Sequence, residues 1–171
     1  MVDVPASKRG FTLIELIVTL AVLAIMATIA IPNFRTFLLN GRMASQTNDL
    51  VAALSLARSE AVKRAANVTV CASSNGTSCT GSWTSGWIVA DAAGTPIRVQ
   101  QALSGGSTLT GGADVASAIT FTATGRTTIP TAATATTTTL TLCPPSPAAV
   151  QGRAIQIERT GRTRFAPVDC P

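Results

Sequence analysis

The sequence predicts an α+β protein in which one long N-terminal helix, with a transmembrane first half, packs on a C-terminal antiparallel β-sheet domain. The run from Phe11 to Ile31 is apolar, with Glu15 as its single charge, and a proline-free segment rich in helix formers follows from Phe34 to Ala66. Beyond this segment, short β-prone runs alternate with glycine, serine and proline clusters. Strands that follow one long helix are typical of an α+β domain with an antiparallel sheet or two packed sheets.

Three parts are expected along the chain: a leader over residues 1–10, a transmembrane and assembly helix over 11–34, and an α+β domain over 35–171. At about 1.5 Å per residue, the apolar run is roughly long enough to cross a bilayer. An ordinary membrane span would place Lys8 and Arg9 in the cytoplasm, but it leaves Glu15 unexplained. A secretory signal peptide fits less well, because Glu15 interrupts its apolar core and no clean Ala-x-Ala site follows.

Composition argues against an enzyme. The chain has no histidine, so it lacks the usual general base and the commonest metal ligand, and it contains no phosphate-binding glycine loop. Acidic residues are scattered singly through the soluble part: Asp49, Glu60, Asp91, Asp114, Glu158 and Asp169. We therefore expect no catalytic residues, no metal site and no cofactor. The net charge of +5 favours anionic partners.

The four cysteines predict disulfides. They have no Cys-x-x-Cys spacing typical of metal sites, and an even number in an exported domain allows three pairings. We favour Cys71 with Cys79, which closes a short polar loop, and Cys143 with Cys170, which ties down the C-terminus.

The stretch GFTLIE, residues 10–15, resembles the processing motif of type IV prepilins and type II secretion pseudopilins. The resemblance implies that a prepilin peptidase cuts after Gly10 and methylates the new N-terminal residue, Phe11. It also implies that Glu15 pairs with the freed α-amino group of a neighbouring pilin, which would explain a carboxylate that is costly in an apolar environment. Pro32, where the family commonly has a proline, would remove a helical hydrogen bond and permit a bend.

The segment after Pro32 predicts an amphipathic helix. Leu50, Leu54, Ala57 and Ala61 recur on one face, which we expect to pack on the domain's own sheet, while the charged residues near Arg58 mostly lie elsewhere. The stretch LARSEAVKR is similar to the helix end in the GspH/FimT group of minor pilins and pseudopilins. Gly41 is the weakest position of this helix.

Six strands are predicted in the remainder: NVTVCA, GWIVA, PIRVQQA, AITFTA, TLTLC and RAIQIER. Residues 104–117 are predicted to form a flexible loop, and the threonine-rich residues 131–142 are suited to lead into a strand. Trp83 and Trp87 are expected to pack in the core.

The C-terminal stretch ERTGRTRFAPVDC carries Arg159, Arg162 and Arg164, and its fragment TGRT also occurs at residues 124–127. A two-residue turn at Gly161 and Arg162 would make Arg159 and Arg164 cross-strand neighbours on the face that Ile155 and Ile157 share. A shift of one residue in the strand register would place these arginines on the opposite face of the sheet. The local charge predicts either a phosphate-binding patch or a solvated hairpin tip.

Within the GspH/FimT group, FimT-like minor pilins that bind DNA carry a Gly-Arg-x-Arg motif near the C-terminus, and Gly161, Arg162 and Arg164 match it. The resemblance implies DNA binding during natural transformation. The clustering of arginines adds Arg159 and, from the other TGRT turn, Arg126 as further contacts, and we expect the DNA to be double-stranded. With no tyrosine and two tryptophans, a base-stacking platform is not expected, so the contacts would be to phosphates.

Three hypotheses about the function are consistent with the N-terminal segment. The preferred hypothesis is a DNA-binding minor pilin of a type IV pilus, held in the inner membrane with its domain in the periplasm before it enters the cell-surface pilus. The alternatives are a structural minor pilin that initiates assembly and a GspH-type pseudopilin of type II secretion.

Prepilin processing predicts the mass of the assembled chain. We expect intact-mass measurement of assembled pili to find the chain without residues 1–10 and with one added methyl group. An unprocessed chain in assembled pili would contradict the prepilin interpretation.

Overall fold

A computed structural model describes residues 10–129, 136–147 and 150–170. The expected leader, with Lys8 and Arg9, lies almost wholly outside the described residues, as do residues 131–135 of the threonine-rich segment. The chain divides into two compact units, Met1–Leu38 and Leu39–Pro171. The boundary between them lies four residues beyond the one expected from sequence.

Helix α1, Leu13–Arg64, runs through both units and continues through Pro32. In the first unit its large apolar side chains are exposed, and its most apolar 18-residue window has a mean hydropathy of 2.6. This segment is therefore long and apolar enough to cross a membrane. Thr12 precedes the helix, and its hydroxyl accepts a hydrogen bond of 3.3 Å from the backbone N–H of Glu15. Thr12 thus caps the first turn, where an acidic residue also complements the helix dipole.

In the second unit, one face of α1 is buried. The buried positions recur every three or four residues: Met43, Gln46, Thr47, Leu50, Ala53, Leu54, Ala57 and Ala61. This confirms the four positions predicted for the core-facing side of the helix. Gly41 does not interrupt the helix.

Among the described residues, eight strands follow the helix: β1 Val68–Ala72, β2 Trp87–Ala90, β3 Pro96–Gln100, β4 Thr108–Gly111, β5 Ala118–Phe121, β6 Thr137–Cys143, β7 Gly152–Glu158 and β8 Thr163–Val168. They form two four-stranded sheets, in the orders β3-β2-β1-β5 and β4-β6-β7-β8, and every pairing is antiparallel. The predicted α+β class, with a long helix packed on antiparallel sheets, is confirmed.

The prediction of a flexible loop over residues 104–117 is wrong, because this segment contains β4. Leu109 is buried between two exposed threonines, Thr108 and Thr110, which is the alternation of a half-buried strand. Because glycines lie on both sides of this short pattern, the sequence indicated a loop instead of a strand. Gly111 is required where it stands, since a side chain there would collide with the carbonyl oxygen of Val115.

The hydrophobic core lies within the second unit. Sheet residues such as Phe121, Leu140 and Ile157 pack with the buried face of α1 and are completely inaccessible to solvent. Both tryptophans are buried, as expected, and the indole Nε1–H of Trp83 donates to the carbonyl of Val115 at 2.9 Å. Because it contains the core, this unit has what an independently folding domain requires.

Both disulfides have the pairing that the sequence favoured. Cys71 bonds to Cys79, and Cys143 at the end of β6 bonds to Cys170 beyond β8. Gly152 lies directly against the second bridge, because a side chain at this position would collide with the sulfur of Cys170. It ties the edge strand β8 to the sheet at the end remote from the β7–β8 turn.

The packing predicts a large cost for removing Leu140. Replacing this fully buried side chain with alanine should lower the free energy of unfolding of the isolated second unit by about 2–5 kcal/mol, because the loss of burial and a residual cavity add. Denaturant unfolding with both disulfides intact would measure this. The matched control is Thr139→Ala on the opposite face of β6, expected to change stability by no more than about 0.5 kcal/mol. Equal effects of the two substitutions would contradict the assigned register.

Candidate nucleic-acid interface

The loop between β7 and β8 spans residues 159–162, and the backbone pair of Glu158 and Arg162 encloses a turn of three residues, Arg159, Thr160 and Gly161. The Gly161 N–H donates to the carbonyl of Glu158 at 2.8 Å, and the Glu158 N–H donates to the carbonyl of Arg162 at 2.9 Å. Gly161 has φ +79°, a left-handed conformation that favours glycine. This is the three-residue hairpin with a glycine bulge, so the predicted two-residue turn at Gly161 and Arg162 is wrong.

The observed turn begins two residues earlier than predicted and is one residue longer, so the pairing of every arginine near the turn changes. Arg164 lies opposite Gln156 rather than Arg159, on the face of the sheet directed away from buried Ile155 and Ile157. The predicted pairing of Arg159 with Arg164 on the core face is therefore also wrong. Arg164 instead forms an ion pair of 2.6 Å with Glu158.

The other TGRT fragment folds in the same way. The Gly125 N–H donates to the carbonyl of Thr122 at 2.8 Å, the Thr122 N–H donates to the carbonyl of Arg126 at 2.8 Å, and Gly125 has φ +73°. Arg126 and Arg162 thus occupy equivalent positions, each directly after a left-handed glycine.

The two turns are packed against each other. A side chain at Gly161 would collide with the carbonyl oxygen of Gly125, so only glycine permits this approach. The Thr127 N–H donates to the carbonyl of Arg159 at 3.1 Å, and the Thr127 hydroxyl donates to the carbonyl of Glu158, also at 3.1 Å. The structure therefore brings together two arginine turns that the sequence related only through their shared fragment.

Helix α1 contributes a residue that sequence reasoning missed. Arg58, interpreted from sequence as part of a solvated face, reaches the Gly161 turn, where its Nη1–H donates to the Gly161 carbonyl at 3.4 Å. It also lies directly against the Gly125 turn. No sequence signal identifies this contact, because 103 positions separate the two residues.

A groove of about 600 Å³ lies between α1 and the β7–β8 turn. Its lining comes from both elements: Val51, Ser55, Arg58, Ser59, Val62, Lys63, Gly161, Arg162 and Thr163. These residues include three cations and no carboxylate. We call this feature the helix–turn groove.

The cations differ in whether a carboxylate already pairs with them. Glu60 lies 2.7 Å from Arg64 and 3.7 Å from Lys63, and the Arg64 hydrogen bond holds the pKa of the Glu60 carboxyl below its ordinary value. Arg64 also approaches Asp91. By contrast, in the part of the chain that the structure describes, no carboxylate forms an ion pair with Arg58, Arg126 or Arg162.

The other predicted functional residues lie outside this surface. Gly10, Phe11 and Glu15 are exposed in the first unit, and their roles in processing and assembly stay predictions. The cysteines are all in disulfides. Among the described residues, no cluster of acidic, histidine or cysteine side chains could hold a metal ion.

Comparison with known proteins identifies the family at both ends of the chain. Residues 46–161 match the family model described as type II transport protein GspH, and residues 5–31 match the model of the prokaryotic N-terminal methylation motif. No curated protein matches the chain by sequence.

The fold is similar to that of a solved minor pilin. The type IV minor pilin FimU of Pseudomonas aeruginosa strain PAO1, in a P21 crystal form, is 26% identical with a TM-score of 0.59, and the match covers 75% of this chain and 90% of the crystallised FimU chain. A P65 form gives 26% identity, a TM-score of 0.55 and coverages of 72% and 92%. Since the GspH model spans more than half of the sequence and the methylation motif precedes it, the chain belongs to the GspH family of pilin-like proteins.

Proposed function

We propose that this protein is a minor pilin of a type IV pilus that binds double-stranded DNA and assists DNA uptake in natural transformation. The observation that carries the proposal is the contact between the two TGRT turns, which places Arg126 and Arg162 on one surface without carboxylate partners among the described residues. The Gly-Arg-x-Arg match and the likeness to a minor pilin add support.

The proposed contacts are to DNA phosphates. A guanidinium presents several N–H donors in a planar fork that suits phosphate oxygens, and contacts of this kind position DNA without reading its sequence. Trp83 and Trp87 are buried and so cannot stack on bases. Binding should therefore be sensitive to salt and tolerant of sequence.

The remaining steps follow from the N-terminal motif. A prepilin peptidase would cut after Gly10 and methylate Phe11, and Glu15 would pair with the α-amino group of a neighbouring pilin during assembly. Before assembly, the apolar part of α1 would hold the chain in the inner membrane with the second unit in the periplasm. The family is a structural type of protein rather than an enzyme.

Two observations favour a second candidate, a purely structural role as a minor pilin or type II secretion pseudopilin. The matched family model is described as a type II transport protein. In addition, the Arg164 ion pair with Glu158 stabilises the turn itself, so the basic residues also have a local structural use. In this second candidate, the surface would contact other subunits or exported proteins.

The decisive experiment measures duplex-DNA affinity of the full chain in neutral detergent across a salt series. The double substitution Arg162→Ala and Arg164→Ala should weaken binding to unrelated sequences and make the salt dependence shallower, by about 0.9 in log–log slope for each phosphate interaction that is removed. The matched control is Arg98→Ala, which removes an exposed arginine from the edge strand β3. A wild-type chain that fails to bind at low salt, or equal losses of affinity in the control, would favour the structural role.

The ion pair at Arg164 generates a separate prediction. Glu158→Gln should strengthen DNA binding by up to about fivefold, because it releases Arg164 and removes a negative charge beside the turn. Asp169→Asn makes the same charge change beyond the other end of β8 and should have a smaller effect. A decrease of affinity in Glu158→Gln, with the fold intact, would mean that the pair positions Arg164 for binding.

A further inference from the structure

We infer that the helix–turn groove binds the phosphodiester backbone of one DNA strand, and that Arg58 and Lys63 of α1 contact its phosphates. This inference rests on the proposed function and extends the DNA-binding surface from the turns onto the helix. Neither residue belongs to the Gly-Arg-x-Arg motif.

The chemistry of the groove favours an extended anion. Its cations come from both walls, with Arg58 and Lys63 on the helix and Arg162 on the turn, and its lining contains no carboxylate. Ser55 and Ser59 add exposed hydroxyl groups on the same helical stretch. Residues 51–63 rise roughly 18 Å along α1, so the wall is longer than a single phosphate requires.

An apolar ligand fits the groove less well. Val51 and Val62 supply its apolar side chains, but Val62 is 53% exposed and three cations share the lining, which a purely apolar ligand would leave without partners. Sugar carbons of a phosphodiester chain could contact the valines while phosphates meet the cations. This alternation of apolar and anionic groups is a property of nucleic-acid backbones.

Arg58 is suited to two tasks at once. Its Nη1–H donates to the Gly161 carbonyl over a long distance of 3.4 Å, which leaves the other guanidinium N–H groups for a ligand. It also touches the Gly125 turn, so it connects both arginine turns to the helix. Arg58 is therefore both a phosphate-binding residue and a positioning residue for Arg162.

Lys63 is the weaker phosphate-binding residue of the two. Glu60 lies 3.7 Å from its Nζ, but the same carboxylate is engaged more closely by Arg64 at 2.7 Å. The Lys63 side chain is 78% exposed and can turn toward a phosphate. Exposed ion pairs of this kind are weak and exchange readily.

The test compares substitutions in the full chain in neutral detergent, with duplex DNA and a salt series. Arg58→Ala and Lys63→Ala should each weaken binding about threefold to tenfold and reduce the salt slope by about 0.9. Arg58→Lys should restore the slope but not the whole affinity, since lysine keeps the charge without the planar fork. The matched control is Arg42→Ala, which removes an exposed cation from the same helix that does not line the groove.

A charge insertion distinguishes local unfolding from direct repulsion of a phosphate. Ser55→Glu places a carboxylate in the groove at an exposed position and should reduce affinity more than Ser45→Glu, an exposed position earlier on the helix. Thermal melting should leave both variants close to wild type.

The outcomes distinguish the two proposals. If Arg162→Ala weakens binding while Arg58→Ala, Lys63→Ala and Ser55→Glu match their controls, the groove inference is wrong and the proposed function stands. If wild type binds no duplex DNA at low salt, the proposed function is wrong and the groove inference is wrong with it. Reduced affinity of the groove variants together with Arg162→Ala would support both.

Discussion

The burial of one face of α1 is the constraint on which the second unit depends. That face meets both sheets, and its later positions Ala53, Ala57 and Ala61 carry short side chains. Short side chains allow a helix to lie close to the strands it covers. Arg58, the neighbour of Ala57, can then reach the β7–β8 turn from an exposed position on the helix. The groove is therefore a consequence of how the core is packed.

The repeated TGRT fragment combines a structural and an electrostatic requirement. Its glycine adopts a left-handed conformation in both turns, and the two turns approach so closely that no side chain could replace Gly161. The arginine after each glycine is thereby placed at an exposed position on one of two adjacent turns. In a chain with 12% charged residues, two such turns and the nearby helix concentrate positive charge on one surface.

The two arginines of the Gly-Arg-x-Arg motif are not equivalent in the structure. Arg164 is held by Glu158 on the outer face of the second sheet, whereas Arg162 lines the helix–turn groove. An anion approaching Arg164 must compete with a carboxylate, whereas no carboxylate among the described residues pairs with Arg162. A motif match alone treats both residues alike, so their difference depends on the turn geometry.

The sequence was sufficient to predict the long helix, its apolar length, the buried stripe through Leu50 and Ala61, and six of the eight strands that the described residues form, because each is encoded in a local period of side chains. It did not reveal β4, whose short alternation is enclosed by glycines, or the register of β8, which depends on where the β7–β8 turn begins and on its length. Processing at Gly10 and the role of Glu15 are inferred from a motif and do not depend on the fold of the second unit. The folded structure was needed to show that the TGRT turns touch, that Arg164 pairs with Glu158, and that Arg58 contacts Gly161. The first and third contacts join residues far apart in the chain, which packing around a shared core brings together. The pair of Arg164 with Glu158 depends instead on the register of the β7–β8 hairpin.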